Sequence, residues 1–289
     1  MPHSSLASPS ATREVLAVHG LRPKKSLGQH FLVDDNIVGK ILALARIEPG
    51  DAVLEIGPGI GTLTVALCAA AGRVIALERD RALLPVLEDV AESCGNLTIV
   101  SGDALTVRPE VLMTPLGAPV ALVANLPYSV AATVVLRFFE SFPSLRSATV
   151  MVQAEVADRM GASPGSKDYG AYTVKLRLRA TPVGRFQVAR GCFMPPPRVD
   201  SAVLRLERVA QGVSPQLAES TARVAAAGFA QRRKTLRNSM LGSSSWPKET
   251  VDEALQSAGI DGGRRAETLS VDEYVRLTLG LQRAGACLV

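Results

Sequence analysis

From residue 32 to residue 208 the chain alternates short apolar runs with stretches whose apolar residues recur at helical spacing. AVLEIG (52–57), RVIALE (73–78), LTIVSGD (97–103), VALVAN (120–125) and ATVMVQ (148–153) read as strands buried on both faces, since they leave no polar side to turn to water. Helix-compatible segments, such as 62–71 and 130–141, lie between them. That rhythm predicts parallel strands joined by helical crossovers, a doubly wound α/β sheet. Pro85 falls inside the helix expected after Asp80, which must start late or break there. YTVKLRLRA (172–180) alternates at period two, which predicts a strand with Lys175, Arg177 and Arg179 on one face. MPPPRV (194–199) is a loop entering a further strand, SAVLRLE. Past Arg208 the strand signals stop and helices remain, one opened by a capping box, Ser270 with Glu273. The expected organisation is a flexible lead-in over 1–20, a sheet domain over 21–208 and a small helical domain over 209–289.

Composition narrows the class. The 289 residues are 47% hydrophobic and 20% charged, which fits a globular protein rather than a disordered one. No apolar run approaches the ~20 residues of a membrane helix, and residues 1–15 lack an apolar signal core. Cys68, Cys94, Cys192 and Cys287 are scattered with no C-x-x-C pair, so no metal site is expected and a reducing compartment, the cytoplasm, is the default. The net charge of +5 matters less than its placement. Residues 221–247 hold Arg223, Arg232, Arg233, Lys234 and Arg237 and no acid, and in 170–206 Asp200 is the sole acid against a run of Arg and Lys. Such asymmetry points to a basic face for a polyanion. For Lys175, Arg177 and Arg179 an ordinary solvated face competes with RNA contact.

Two stretches carry chemistry. LEIGPGIGTLT (54–64) sets Gly57, Gly59 and Gly61 between a strand and a helix, where backbone approaches a ligand closely and the helix N-terminus offers free N–H groups. Glu78 ends the second strand, where an acid binds a ribose diol. The dinucleotide fingerprint wants its third glycine at position 62, which is Thr62, so a nicotinamide oxidoreductase fits poorly. A G-x-G-x-G turn with Glu78 and then Asp103, placed to accept from an adenine amine, is instead what S-adenosylmethionine binding in the class I (Rossmann-like) methyltransferase fold looks like. The competing reading is a tight turn with a solvated Glu78.

The second stretch is Asn125-Leu126-Pro127-Tyr128, at the end of the fourth strand and hence at the ligand edge of such a sheet. An exocyclic adenine amine attacks poorly because its lone pair is delocalised into the ring. Two acceptors, the Asn125 side-chain oxygen and the Leu126 carbonyl, aimed at its two hydrogens would free that lone pair. Pro127 stiffens the turn and Tyr128 stacks on the base. This is positioning and preorganisation rather than nucleophile activation. A plain turn with Tyr128 in the core is the alternative.

N-L-P-Y is similar to the [NDS]-[PIL]-P-[YF] signature of adenine-N6 methyltransferases. The wider chain resembles the rRNA adenine dimethyltransferases of the KsgA/RsmA family, which act on small-subunit rRNA. The resemblance runs through KKSLGQHFLVDDNIV (24–38), LEIGPGIGTLT, GDAL, NLPY, MVQAEVADRM (151–160), FMPPPRVDSAV (193–203) and FAQRRKTLRN (229–238), in that order.

It implies a class I methyltransferase sheet with a small C-terminal helical domain, S-adenosylmethionine as cofactor, and a monomer acting on 16S rRNA in the assembling 30S subunit, without a membrane. Gln29, His30 and Leu32 would belong to the segment folding over the cofactor, with Gly57, Gly59 and Gly61 at the turn. Glu78 would lie at the ribose, Asp103 and Ala104 at the adenine, and Asn125 at methyl transfer. Glu55 would balance the sulfonium charge. Phe193 resembles the aromatic that covers the second face of the target base, opposite Tyr128. Arg232, Arg233, Lys234 and Arg237 would meet RNA phosphates, which position a substrate without specifying it. Family members often continue the signature with Asn, Ser or Thr and Pro, whereas this chain has Ser129, Ala131, Ala132 and Thr133. A 23S rRNA dimethyltransferase of the macrolide-resistance type and a non-catalytic assembly factor are the competing functions.

Overall fold

The computed structural model describes residues 3–113, 117–210 and 212–288, the side chain of Lys25 excepted. Positions 1 and 2 of the expected lead-in, and 211 and 289 of the expected helical domain, lie outside those residues. The chain divides into two compact units, 1–157 with 182–208, and 158–181 with 209–289. The single boundary expected near Arg208 is therefore one of several: the segment 158–181 belongs with the C-terminal unit.

In the first unit the described strands are β1 (Phe31–Leu32), β2 (Ala52–Ile56), β3 (Arg73–Glu78), β4 (Leu97–Ser101), β5 (Ala121–Asn125), β6 (Ser147–Gln153), β7 (Ala180–Val188), β8 (Phe193–Met194) and β9 (Ser201–Arg208). Seven of them form one sheet in the order β4-β3-β2-β5-β6-β9-β7. The β3–β4, β2–β3, β2–β5 and β5–β6 pairs are parallel, and β6–β9 is antiparallel. Val53, Leu54, Val74, Leu122, Val150 and Val152 are wholly buried, as a sheet covered on both faces requires. Strand order runs outward from β2 through β3 to β4 on one side and from β5 to β6 on the other. The reversal between β2 and β5 opens a crevice at their carboxyl ends, so the Gly57 turn and the Asn125 turn leave the sheet side by side.

Two local expectations change. Residues 171–177 form a helix, Ala171–Arg177, rather than a strand, so Lys175, Arg177 and Arg179 do not share a strand face. Thr173, Val174 and Leu176 are its buried residues, while Lys175 pairs with Glu219 and Arg177 donates to the Ala162 carbonyl. Lys175 and Arg177 sit in the last turn, where cations suit the helix dipole. The period-two strand lies just beyond, in β7, whose Pro182 and Gly184 disguise it; both residues suit the edge position β7 occupies. Residues 9–18 are also not a flexible lead-in but a helix, Pro9–Val18, capped by Ser8 and opened by Pro9. Its Leu16 packs with Phe31, Ile60, Leu83 and Val86. Ahead of it, the Asp35 carboxylate accepts the His3 and Ser4 amides.

Pro85 behaves as its chemistry demands: a 3-10 turn (Arg81–Leu83) capped by Asp80 precedes a helix, Leu84–Cys94, that carries Pro85 in its first turn. The second unit packs the helices Pro215–Phe229, Leu236–Ser243, Lys248–Ala258 and Val271–Arg283 around Val224, Leu236, Met240, Val251, Leu255 and Tyr274. The capping box forms: Glu273 N–H donates to Ser270 Oγ and Ser270 N–H to Glu273 Oε2. Arg264 clamps the same carboxylate and, with Ser270, holds it down at about 2. Among the described residues no helix is long and apolar enough to cross a membrane.

Candidate active site

A cleft at the carboxyl edge of β2, β3 and β5 is lined by Gln29, His30 and Leu32, by Glu55, Gly57 and Gly59, by Glu78, by Asp103 and Ala104, and by Asn125 through Ser129. Nearly every residue expected at the cofactor thus meets in one place. Gly57 and Gly59 have φ of 67° and 63°, a region that β-carbons disfavour. At Gly59 a β-carbon would lie 3.1 Å from the Phe31 ring, so glycine also makes room for the segment that closes the cleft. Gly61 is not a lining residue. It caps the helix Thr62–Ala70 with φ of 88°, and a β-carbon there would meet Val90 at 3.0 Å, so it serves helix packing.

The acids differ in environment. Glu55 is 1% exposed and accepts a 2.6 Å hydrogen bond from Thr64 Oγ1. Burial pushes its carboxyl up to about 8, so it is largely protonated at neutral pH. Glu78 is also pushed up by burial, against the pull of hydrogen bonds from the amides of Asp80 (2.7 Å) and Gly59 (3.2 Å). Asp103 accepts from the Leu105 amide at 2.9 Å and pairs with Arg79, 3.4 Å away.

Gln29 lines the cleft but commits its amide to the fold. Its oxygen accepts from the Lys24 amide and its nitrogen donates to Asp80, which Lys24 Nζ also reaches at 2.7 Å. Burial would raise the Asp80 carboxyl, but these bonds outweigh it and hold the acid below its ordinary value. Gln29 therefore fastens the closing segment to the end of β3.

The acceptor turn is ordered from outside itself. The Asn125 amide nitrogen donates to the His30 carbonyl at 3.2 Å. A carbonyl can only accept, so the contact fixes the amide's orientation and leaves Oδ1 as its acceptor end. Neither that oxygen nor the Leu126 carbonyl accepts a hydrogen bond among the described residues. The Leu126 side chain is buried, and its amide donates to the Met151 carbonyl on β6. The helix Ala131–Ser141 follows directly, with no side-chain cap at Val130. The Tyr128 ring lies against His30, centroids 5.9 Å apart at 20°, and its hydroxyl meets Ser201 Oγ at 2.6 Å.

Phe193 does not join the site surface. It is 3% exposed, pairs with Leu32 across β1 and β8, and packs in the core with Val188 and Val203. Alternation explains it: on a two-residue strand Phe193 faces the core and its neighbour the other way. Arg137 was not anticipated. It donates to the carbonyls of Leu105 and Val107, tying the Asp103 loop to the helix that follows the acceptor turn. No motif marks it, because its partners are backbone atoms of a distant loop.

In the second unit Arg232, Arg233 and Lys234 are exposed on the turn between two helices rather than along a helix. Arg232 donates to the Lys167 carbonyl. Arg237 is spent differently: its guanidinium grips Asp252 at 2.5 and 2.8 Å.

The sequence profile of the family described as ribosomal RNA adenine dimethylase matches residues 20–283. The chain belongs to that family. A relative from Pelotomaculum thermopropionicum, named ribosomal RNA small subunit methyltransferase A, is 44% identical over 97% of this chain and 98% of its own length. One from Rhodococcus opacus with the same name is 44% identical over 95% and 94%. Among solved structures, a dimethyladenosine transferase from Plasmodium falciparum superposes with a TM-score of 0.74 at 25% identity, over 89% of this chain and 98% of that one. The 23S rRNA methyltransferase ErmE gives 0.66 at 29%, over 87% and 99%. Both agree with the doubly wound sheet, and the small-subunit relatives are the more similar in sequence.

Proposed function

We propose that this protein dimethylates the N6 amines of two adjacent adenosines in the 3′-terminal hairpin loop of 16S rRNA, using S-adenosylmethionine, during assembly of the small subunit. The observation that carries the reading is the Asn125 amide, whose nitrogen is held by the His30 carbonyl and whose oxygen is left as an acceptor on the residue next to Leu126. The cleft suits the cofactor in its donor set. Glu78 offers carboxylate oxygens for a diol, Asp103 and Ala104 suit an adenine edge, and the Gly57 and Gly59 backbone admits close approach. Glu55 answers a positive charge by giving up its proton. When bound, S-adenosylmethionine supplies an electrophilic methyl group on a sulfonium.

The chain's own residues prepare the nucleophile. Asn125 Oδ1 and the Leu126 carbonyl accept the two amine hydrogens and draw the lone pair out of conjugation. Pro127 holds φ of the turn so that the carbonyl stays aimed. Tyr128 offers a stacking face worth roughly 1–3 kcal/mol, against the few kcal/mol needed to flip an adenine out. The nitrogen becomes acidic as it is alkylated and sheds its proton without a strong base. Removing Glu78 is expected to weaken S-adenosylmethionine binding by roughly a hundredfold, the loss of charge-assisted hydrogen bonds worth about 3 kcal/mol. Calorimetric titration of Glu78→Ala measures this, and a change under threefold would refute the assignment.

We place RNA phosphates on Arg232, Arg233 and Lys234. Replacing all three with alanine should weaken RNA binding and flatten the slope of log affinity against log salt by about 2. Arg237→Ala should chiefly destabilise the second unit, since its partner is Asp252. Filter binding across salt concentrations, with thermal melts in parallel, separates the two. The protein is read as a cytoplasmic monomer.

The test of the function is nucleoside mass spectrometry on 16S rRNA from cells lacking these modifications, with and without this protein expressed. Paired N6,N6-dimethyladenosines in the 3′ hairpin are expected. Their absence, with modification of 23S rRNA instead, would assign the protein to the resistance type.

A further inference from the structure

Two contacts from the segment 194–201 bear on the acceptor turn, one directly at Tyr128 and one through His30. Between Met194 and Ser201 the chain reads MPPPRVDS, and its three consecutive prolines restrict φ and stiffen the backbone. Near one end, the Pro195 carbonyl takes His30 Nδ1 at 2.7 Å. At the other, Ser201 opens β9 opposite Gln153, wholly buried, with its hydroxyl 2.6 Å from that of Tyr128.

The two contacts restrain different motions. A tyrosine hydroxyl lies on the axis about which the ring spins, so Ser201 fixes where the ring points and leaves its rotation free. His30 lies against the ring face and limits that rotation. His30 is itself held, by Pro195 through its ring and by Asn125 through its carbonyl. A tyrosine needed only to fill space would require neither a hydroxyl nor a buried partner for it.

We propose that the proline loop braces the acceptor turn, and that Ser201 is a positioning residue that acts through Tyr128 to set the plane on which the target adenine stacks. The inference rests on the adenine-methylating reading of the Asn125 turn. Ser201 is wholly buried and does not line the cleft, so its effect passes through the Tyr128 hydroxyl alone. Loss of the hydroxyl from either partner should therefore have the same consequence, and loss of both should add nothing.

The test compares the wild-type protein with Ser201→Ala, Tyr128→Phe and the double variant. Single-turnover methyl transfer to unmethylated small subunits gives the rate. The fluorescence of a hairpin RNA with 2-aminopurine at the target position, without cofactor, gives the stacking. Each single variant is expected to slow transfer about tenfold through misplacement of the base, to leave S-adenosylmethionine affinity unchanged, and to brighten the bound 2-aminopurine. The double variant should be no slower than either single. Multiplying losses in the double variant, or wild-type rate and fluorescence in Ser201→Ala, would overturn the inference. Should Ser201→Ala fold poorly, Tyr128→Phe alone decides: wild-type rate and stacking would refute the brace. A wild-type protein that transfers no methyl group would overturn the reading beneath it, and that control tells the two failures apart.

Discussion

Asn125→Ala is expected to lower methyl transfer at saturating cofactor and RNA by on the order of a thousandfold, with little change in RNA affinity. The substitution removes one of two acceptors that act where the amine changes geometry, and single preorganised groups of this kind are worth roughly 10²–10³ in rate. It also releases the His30 carbonyl, so the closing segment and the Tyr128 ring lose a shared anchor. Asn125→Asp separates the contributions. It keeps acceptor oxygens but sets a carboxylate against the His30 carbonyl, and should retain more activity than alanine while remaining well below wild type. Single-turnover kinetics on small subunits measure both. A loss under tenfold for Asn125→Ala would place the acceptor pair elsewhere.

Glu55→Gln is expected to change how stability depends on pH. The folded carboxyl titrates at about 8, against an ordinary value of 4.5, because it is buried beneath the cleft. Above pH 4.5 the unfolded chain gives up this proton while the folded chain keeps it until about pH 8. Across that window folding takes up a proton, so Glu55's contribution is fully present below pH 4.5 and is lost progressively as pH rises toward 8. Glutamine keeps the shape and an acceptor for Thr64 without the titration. Between pH 5 and pH 8 the wild-type protein should therefore lose about 3 kcal/mol more stability than the variant. Urea unfolding at pH 5, 6, 7 and 8 measures the difference. Parallel profiles would mean that Glu55 is ionised in the fold.

What could be read from the sequence follows from which interactions are local. β2, β3, β5 and β6 announced themselves because strands buried on both faces must be continuously apolar. The β2–β5 reversal then brought Gly57, Glu78, Asp103 and Asn125 together with no further information needed. β7 stayed hidden because an edge strand tolerates Pro182 and Gly184, which read as breakers. The short helix at 171–177 imitated a strand because Val174 and Leu176, two apart as in a strand, are both buried on it, with Thr173 three residues before Leu176 completing the helical face.

Distant contacts were invisible in a stronger sense. Ser201 with Tyr128, Pro195 with His30, and Arg137 with the loop after Asp103 join residues far apart in sequence, and no local pattern says which of them meet. Phe193 shows the converse: its motif was plain, but the β1–β8 pairing that turns its ring into the core was not.

The turn at Asn125 is expected to methylate small-subunit adenosines. The most direct measurement is tritiated methyl transfer from S-adenosylmethionine to unmethylated small subunits, with large subunits in parallel, followed by mapping of the label. Two methyl groups are expected on each of two neighbouring adenosines near the 3′ end of 16S rRNA, and none on the large subunit. Label in 23S rRNA, or tight binding to small subunits without transfer, would contradict it.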